Sequence, residues 1–229
     1  MLNDTELNRL EYKKAIEVDK RTYFDYYWSL LKKKQILLFT FIPSNDYNLM
    51  SVKISLLLIS FSLYLSLVGF FYNDNIMHNI YIHNGSLNIL FRIPQIFLST
   101  IITVIINAVL KQLALTEQSI IMVKQEPTIK KAIEKWKEIN KCFKIKFPIF
   151  FILNIIFITF FWYFLSCFCA IYINTQYLLL RDALSSFLLS MIYPFGLSLL
   201  PGIFRIPSLS AKNKNKECLY KFSNLLSII

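Results

Sequence analysis

The side chains that could do chemistry in this sequence are few, and their spacing is poor for catalysis. His78 and His83 stand five residues apart, whereas two histidines that share a metal ion on one helix face stand four apart. The sequence contains no glycine-rich phosphate loop, nucleophile elbow or paired-carboxylate motif. We therefore predict a non-enzymatic protein without cofactor or metal. The lesser alternative, a lipid-modifying membrane enzyme, would have these two histidines as its only candidate residues.

Three residues are candidates for covalent modification. Asn84 begins the sequon Asn84-Gly85-Ser86 and is a glycosylation candidate if that segment faces the lumen or the outside. Cys142 and Cys218 lie in basic segments near predicted spans, and both are palmitoylation candidates. The other two cysteines fall inside an apolar run, where we predict a packing role.

The composition predicts a membrane protein. Of the 229 residues, 55% are hydrophobic and 17% are charged, whereas a soluble domain carries about 25% charged residues. Four uncharged runs are each long enough to cross about 30 Å of hydrocarbon. They are residues 54–72, 93–110, 147–173 and 183–203. The predicted fold class is an all-α integral membrane protein, with a four-helix membrane domain over residues 54–204 and additional interfacial amphipathic helices.

The basic residues predict the orientation of the four spans. Of the 25 lysines and arginines, 23 lie in an N-terminal region (1–53), a central loop (111–146) and a basic tail (205–229). Basic segments stay on the cytosolic side of a membrane. Both termini and the central loop are therefore predicted to be cytosolic, in the plasma membrane or an endomembrane. Membrane flanks account for the net charge of +11 without nucleic acid.

Residues 23–41, just before the first span, predict an interfacial helix. The segment begins with aromatic side chains of the kind found at headgroup depth, and an apolar run too short to cross the bilayer ends it before Pro43. The aromatic residues are Tyr23, Phe24, Tyr26, Tyr27 and Trp28. The alternatives are a re-entrant segment and a cytosolic helix.

A second amphipathic helix is predicted inside the central loop. Apolar residues recur there at helical spacing, namely Ile129, Ile133, Trp136, Ile139 and Phe143. The lysines around this stripe are candidates for contact with anionic lipid headgroups, and they are Lys130, Lys131, Lys135, Lys137, Lys141 and Lys144. Two other interpretations stay open: a calmodulin-type target and a solvated connector whose lysines only fix the topology.

The fourth span contains two proline–glycine pairs, which predict a kinked or broken helix. Pro194 precedes Gly196, and Pro201 precedes Gly202. Each proline removes a backbone hydrogen bond, and each glycine lowers the cost of bending. The four residues are hinge candidates, with a static kink that shapes packing as the alternative.

Polar residues inside the predicted spans are few. Asn107 and Asn154 are expected to hydrogen-bond across helices. Arg181 and Asp182 at the outer end of span four are expected to be a snorkelling pair. No Asp, Glu, Lys or His lies in the central part of a predicted span, which disfavours pumps, ion-coupled carriers and voltage sensors.

With these features in place, most of the chain from Tyr23 onward resembles the C-terminal four-helix membrane module of large ciliate and other protist surface proteins. The resemblance is carried by YFDYYWSLLK at 23–32, FYND at 71–74, RIPQ at 92–95, CFCA at 167–170, YPFG at 193–196 and LPGIFRIP at 200–207. A fainter likeness is to the membrane helices that precede the channel half of polycystin-1-like proteins. There the likeness lies in the basic approach to span one, the charged central loop and the serines before Pro201, which are Ser185, Ser186 and Ser190.

The resemblance implies a non-enzymatic membrane module that anchors or transmits a signal from a larger surface assembly. The alternative is a pore or transport subunit that conducts only as an oligomer. The expected partners are the lipid bilayer, its anionic headgroups, and either further copies of the chain or a larger membrane protein.

Overall fold

A computed structural model of the chain describes residues 2–44, 46–72, 74–83, 89–210 and 216–228, and every regular element in those ranges is a helix. In chain order the helices are α1 (Asp4–Asn8), α2 (Tyr12–Val18), α3 (Tyr23–Lys34), α4 (Ile36–Phe41), α5 (Met50–Phe70), α6 (Asp74–Ile82), α7 (Ile89–Ala114), α8 (Glu117–Lys124), α9 (Ile129–Ile171), α10 (Gln176–Ser190), α11 (Tyr193–Leu197), α12 (Leu199–Leu209) and α13 (Glu217–Ile228). The predicted all-α fold class is confirmed.

Four stretches of the described residues are long and apolar enough to cross a membrane, as the sequence predicts. They are Met50–Phe70, Ile93–Ala114, Ile129–Ile171 and Gln176–Leu209. The chain is therefore a multi-pass membrane protein. The first stretch begins four residues before the predicted bound, so that Lys53 lies within α5, where it is buried.

The chain forms two compact units whose bounds differ from the predicted domains. The central unit is Asn48–Ser190, and the terminal unit combines Met1–Tyr47 with Met191–Ile229. The predicted boundary between the membrane domain and a basic tail, at residues 204 and 205, falls inside α12. Within the terminal unit α13 packs against α12, so the C-terminal segment is not a separate tail.

In the central unit α5 is the helix around which the others pack. It contacts α7, α9 and α10, and 67% of its span is buried, against 17% for the spans in α7 and α9. Between helices in lipid there is little hydrophobic gain, and small residues allow close approach instead. On α5 these are Ser60, Ser62 and Ser66, all buried. The Tyr64 hydroxyl donates to the Ser186 carbonyl oxygen on α10 at 3.0 Å.

The central-loop helix and span three are one element, contrary to the prediction of two. Helix α9 has 43 residues, which corresponds to about 65 Å at about 1.5 Å per residue. It continues through Pro148, a residue that removes one backbone hydrogen bond but leaves those of the neighbouring turns in place. The remaining predicted loops also contain helices, α6 in residues 73–92 and α8 in residues 111–146.

The predicted helix over residues 23–41 is divided into α3 and α4 at Gln35. The Gln35 amide ends α3 by donating to the Leu31 carbonyl oxygen at 3.0 Å. Its side-chain oxygen then accepts from the Leu38 amide at 2.7 Å and so caps α4. At the start of α3, Thr22 and Asp25 form a reciprocal capping box. Helical periodicity in the sequence does not show that the Gln35 side chain, which follows three lysines, starts a second helix.

Span four is broken, as its prolines predict. A turn at Met191 and Ile192 separates α10 from α11, and a second turn at Ser198 separates α11 from α12. Pro194 has no N–H to donate to the turn that precedes it, which explains the end of α10. The helical break is confirmed, whereas hinge motion at this break stays a prediction.

Candidate functional site

The polar residues of the central unit lie between its spans. The Ser60 hydroxyl on α5 donates to the Asn107 side-chain oxygen on α7 at 3.0 Å. The Asn154 amide on α9 donates to the Ser55 carbonyl oxygen on α5 at 3.3 Å. The predicted hydrogen bonds across helices are therefore present, and both lead to α5.

Asn107 is one end of a polar stripe on α7, which consists of Gln95, Ser99, Thr103 and Asn107 at four-residue intervals. The Gln95 amide donates to the Val68 carbonyl oxygen on α5 at 3.2 Å. Ser99 and Thr103 between the two ends are 0% and 8% exposed, and within the described residues their hydroxyls have no hydrogen-bond partner. We call these four residues the α7 polar stripe.

The opposite side of α7 is apolar and exposed, which reverses the pattern of a soluble helix. The exposed residues are Ile93, Phe97, Leu98, Ile101, Val104, Ile105 and Val109. An apolar outer face with a polar inner face suits a helix that contacts lipid on one side and a polar seam on the other. A buried hydroxyl without a partner costs about 1–3 kcal/mol, and internal water commonly satisfies such groups. The stripe is thus the part of the central unit best suited to hold water or polar solutes.

At one end of the central unit, Asp182 is buried and bonded to the segment that follows α5. The Tyr72 hydroxyl donates to its carboxylate. Asp182 is 4% exposed, whereas Arg181 beside it is exposed. The expected snorkelling pair is therefore wrong for Asp182, because α10 turns the two adjacent side chains in different directions. A second tyrosine, Tyr172, donates to Asp74 at 2.6 Å.

The remaining sequence candidates of the central unit are exposed or outside the described residues. His78 on α6 and His83 after it are exposed, and no group of His, Cys, Asp and Glu among the described side chains is placed to share a metal ion. Asn84 lies outside the described residues. Cys142 is a free, exposed thiol, as is Cys218 in the terminal unit, and their palmitoylation stays a prediction.

The lysine-rich stripe lies on the N-terminal part of α9. Five of the six candidates, Lys130, Lys131, Lys137, Lys141 and Lys144, are exposed, and Lys135 is partly covered. Of the apolar residues, Ile129, Ile133 and Trp136 are exposed and Phe143 is buried. The apolar side of this segment is therefore accessible along its first two turns and packed at Phe143, whereas most of the lysines are exposed along its whole length.

The terminal unit contains a fully buried arginine, which sequence reasoning placed in a cytosolic tail. Arg205 on α12 is 0% exposed. Its guanidinium Nη2 donates to Asp19 Oδ2 at 2.8 Å and to the Leu7 carbonyl oxygen at 2.9 Å. Nη1 donates to Asn224 Oδ1 on α13 at 2.9 Å, and Nε donates to Asp19 Oδ2 at 3.2 Å. One arginine thus joins α12 and α13 to the N-terminal segment.

Two tyrosine rings also contact the guanidinium group of Arg205. Its central carbon is 4.8 Å from the ring centroid of Tyr26 and 4.8 Å from that of Tyr220. Such cation–π contacts stabilise a cation that has left water. Tyr26 is therefore an interior residue, and its ring faces protein and not the headgroups. Its neighbours Phe24 and Trp28 on α3 are exposed.

Asp19 also binds Arg21, so one carboxylate serves two guanidinium groups. Arg21 Nε donates to Asp19 Oδ1 at 2.8 Å and Nη2 donates to Oδ2 at 2.9 Å. Burial raises the pKa of Asp19, but hydrogen bonds and charge from Arg21 and Arg205 outweigh that effect, and the net pKa is below its usual value. Arg21 further donates to Asn8 Oδ1 and to the Ser29 hydroxyl, at 2.8 and 3.3 Å. We call Asp19, Arg21 and Arg205 the arginine centre.

The residues of the arginine centre bind one another and stabilise the terminal unit, and they are poorly placed to bind a ligand or catalyse a reaction. Four hydrogen bonds from Arg205 go to protein acceptors, so few of its donors are left for a ligand. A buried ion pair needs such additional bonds to offset its desolvation. The one sequence signal for it is the arginine itself, which follows an apolar run directly, whereas its partner Asp19 is 186 residues away.

The second proline–glycine pair of span four also has a packing role. The Tyr23 hydroxyl donates to the Leu199 carbonyl oxygen at 2.9 Å, and its ring lies over Gly202. A Cβ atom at Gly202 would be 2.7 Å from Tyr23 Cε2, which is shorter than a van der Waals contact and would be a steric clash. At Gly196 a Cβ would meet nothing within 4 Å. Gly202 is therefore a close-approach glycine, whereas a side chain would fit at Gly196, whose role as a hinge stays a prediction.

Comparison of the chain with family models, curated proteins and solved structures finds no match.

Proposed function

We propose that this protein is a non-enzymatic, multi-pass membrane module that anchors a larger surface assembly or transmits its signal. The observation that carries the proposal is the unbroken α9, whose length of about 65 Å exceeds the hydrocarbon thickness of about 30 Å. An unbroken helix transfers displacement of its membrane part to residues beyond the headgroups. The resemblance to the protist surface module supports the same function.

In this proposal both termini and the N-terminal half of α9 lie in the cytosol, at the plasma membrane or an endomembrane. The distribution of lysines and arginines supports this orientation, because 23 of 25 lie in the three segments assigned to that side. Further copies of the chain or a larger membrane protein would be its partners within the bilayer.

Anionic headgroups are proposed partners of the lysines nearest the membrane. Lys144 and Lys141 are about 4.5 and 9 Å along the helix axis from Phe147, where the uncharged run begins. Lys130 and Lys131 are about 24–26 Å from it, which is about three Debye lengths at physiological salt. Lipid contact is therefore proposed for Lys141 and Lys144, and the distal lysines of the stripe remain available to other partners.

The experiment is reconstitution of the chain in vesicles, with a spin label on Cys142 and the other three cysteines replaced by serine. The proposed module gives no ion flux above that of empty vesicles, and the label moves slowly because it is attached to the rigid α9. Two glycines inserted after Ile145 should release the label into fast motion. Fast motion without the insertion would show that α9 cannot transmit, and the proposal would fall.

A pore subunit that conducts only as an oligomer is the second candidate, and the α7 polar stripe favours it. Ser99 and Thr103 present buried hydroxyls without partners in the described ranges, as the lining of a hydrated pathway does. Flux that requires several copies per vesicle and is lost on Thr103→Val would support the pore. Loss of flux on replacing both Pro194 and Gly196 with Leu would further assign gating to the break in span four.

A further inference from the structure

Apolar residues recur along α9 with the seven-residue repeat of a coiled coil. Alternating steps of four and three connect Ile129, Ile133, Trp136, Asn140, Phe143, Phe147, Phe150, Asn154, Phe157, Phe161, Phe164, Phe168 and Ile171. All of these but the two asparagines are apolar. A mean spacing of 3.5 residues is the period of a left-handed coiled-coil seam, in which the positions are named d and a in turn.

The seam is buried at the start of its membrane part, whereas Phe157 and Ile171 farther along are 39% and 74% exposed, and its first two heptads are largely uncovered. Phe150 and Asn154 are 1% and 3% exposed, and α5 is the helix that α9 contacts most extensively. By contrast Ile129, Ile133 and Trp136 are 81%, 50% and 45% exposed. The uncovered segment, residues 129–142, is about 21 Å long. We call it the bare heptads.

The lysines beside the bare heptads indicate what kind of partner would bind there. The e positions, which border the bare heptads on one side, are Lys130 and Lys137. In a parallel pair each e residue meets a g residue of the other helix, and the g positions here are Ala132 and Ile139, which offer no carboxylate. An antiparallel pair of copies would bring the e lysines together. A second copy therefore leaves these lysines uncompensated in either orientation.

Asn140 defines the expected alignment of the partner. It stands at an a position of the seam, where a buried asparagine pairs best with another asparagine in a parallel two-stranded coiled coil. We propose that the bare heptads bind an acidic amphipathic helix of a partner protein in parallel. That helix carries apolar residues at a and d, Asn opposite Asn140, and Glu or Asp at g. This binding surface is proposed for either of the two functions above, the signalling module or the pore subunit.

The test uses the full chain in nanodiscs of uncharged phosphatidylcholine. The probe is a fluorescent 21-residue peptide with Ile at a, one a-position Asn, Leu at d and Glu at g, and its twin has Lys at g. We expect the acidic peptide to bind and its twin not to bind. Ile133→Asp should abolish binding of the acidic peptide.

Two double variants distinguish the effect of charge at the seam from the effect of the net charge of the helix. Lys130→Glu with Lys137→Glu changes the e positions and should weaken the acidic peptide about ten-fold while creating affinity for its lysine twin. Lys131→Glu with Lys135→Glu makes the same change in net charge at the outward f and c positions and should alter binding little. Gain of binding to the twin cannot arise from misfolding.

Several outcomes overturn the proposal. It falls if the acidic peptide does not bind, or if the two double variants weaken it equally. It also falls if light scattering shows that Ile133→Asp dissociates a dimer, which would make a second copy the occupant. Flotation on phosphatidylserine vesicles that the e-position and the outward variants reduce equally, without peptide binding, would assign the bare heptads to lipid.

Discussion

Arg205 shows how a charged residue can be the centre of a unit instead of part of its surface. Its guanidinium is enclosed by Asp19, a backbone carbonyl, Asn224 and two tyrosine rings, and none of its surface is exposed. Removing one partner of a buried ion pair leaves the other partner desolvated and under-compensated. The arginine centre is therefore the most sensitive site of the terminal unit.

We predict that Arg205→Met destabilises the terminal unit by about 3 kcal/mol, the lower end of the range for a broken buried pair because Asp19 keeps Arg21. Trp28 fluorescence, in a background with Trp136 and Trp162 replaced by Phe, reports unfolding of this unit. Lys20→Met, which removes an exposed cation beside Asp19, is the matched control and should change stability by less than about 0.5 kcal/mol. Equal effects of the two variants would contradict a cohesive role for Arg205.

Lys34 at the end of α3 predicts a pH dependence. Burial lowers the pKa of Lys34 to about 8, and its Nζ donates to the Leu226 carbonyl oxygen at 3.4 Å. Since the folded pKa is below the unfolded value near 10.4, the folded state is penalised while the lysine is protonated in both states. The penalty is complete below about pH 8 and disappears as the pH rises towards about 10.

The measurement is the unfolding free energy of Lys34→Met relative to the unchanged chain, taken from pH 7 to pH 10. The variant should be more stable near neutral pH, and its advantage should shrink as the pH rises. Lys20→Met serves as the control without that trend. An advantage that stays constant over this interval would assign the effect of Lys34 to packing and not to charge.

At the scale of helices, the two glycines of span four have different roles despite similar sequence surroundings. Both follow a proline closely, and the sequence predicts bending for both. The structure places Tyr23 over Gly202 and nothing over Gly196. Periodicity and composition could locate the breaks, but they could not show which glycine is covered, because the covering ring belongs to α3.

We predict different effects of alanine at these two glycines. Gly202→Ala should destabilise the terminal unit by about 1–3 kcal/mol, because the ring of Tyr23 must move and its hydrogen bond to Leu199 is lost. Gly196→Ala should be neutral or stabilise by up to about 1 kcal/mol through helix propensity. Thermal unfolding of the two variants in detergent measures both effects.

A second variant locates the clash. In a Tyr23→Ala background, Gly202→Ala should cost much less, since the two positions share one contact and are not additive. An undiminished cost in that background would mean that Gly202 is required for the backbone of α12 and not for the approach of Tyr23.

At the scale of the whole molecule, the proposed orientation in the membrane is based on the distribution of lysines and arginines. We predict that Asn75→Cys, on the exposed face of α6, reacts with an impermeant thiol reagent on intact cells, whereas the native Cys218 does not. After permeabilisation Cys218 should react, since its thiol is exposed. Cys142 is replaced by serine in this experiment. Labelling of Cys218 but not of residue 75 on intact cells would invert the proposed orientation.

The sequence by itself determined the class of protein, the number of spans and the break in the last one. These properties depend on local composition: a run of apolar residues inserts as a helix because its backbone must hydrogen-bond within itself in lipid, and a proline removes one such bond wherever it stands. Only the tertiary structure decided that α5 is the central helix, that α9 is continuous, and that Arg205 is interior. The central position of α5 and the burial of Arg205 depend on partners distant in the chain, such as Asp19 for Arg205, and no local sequence pattern identifies those partners. The continuity of α9 depends on the turns around Pro148, which keep their hydrogen bonds although a proline usually predicts a break.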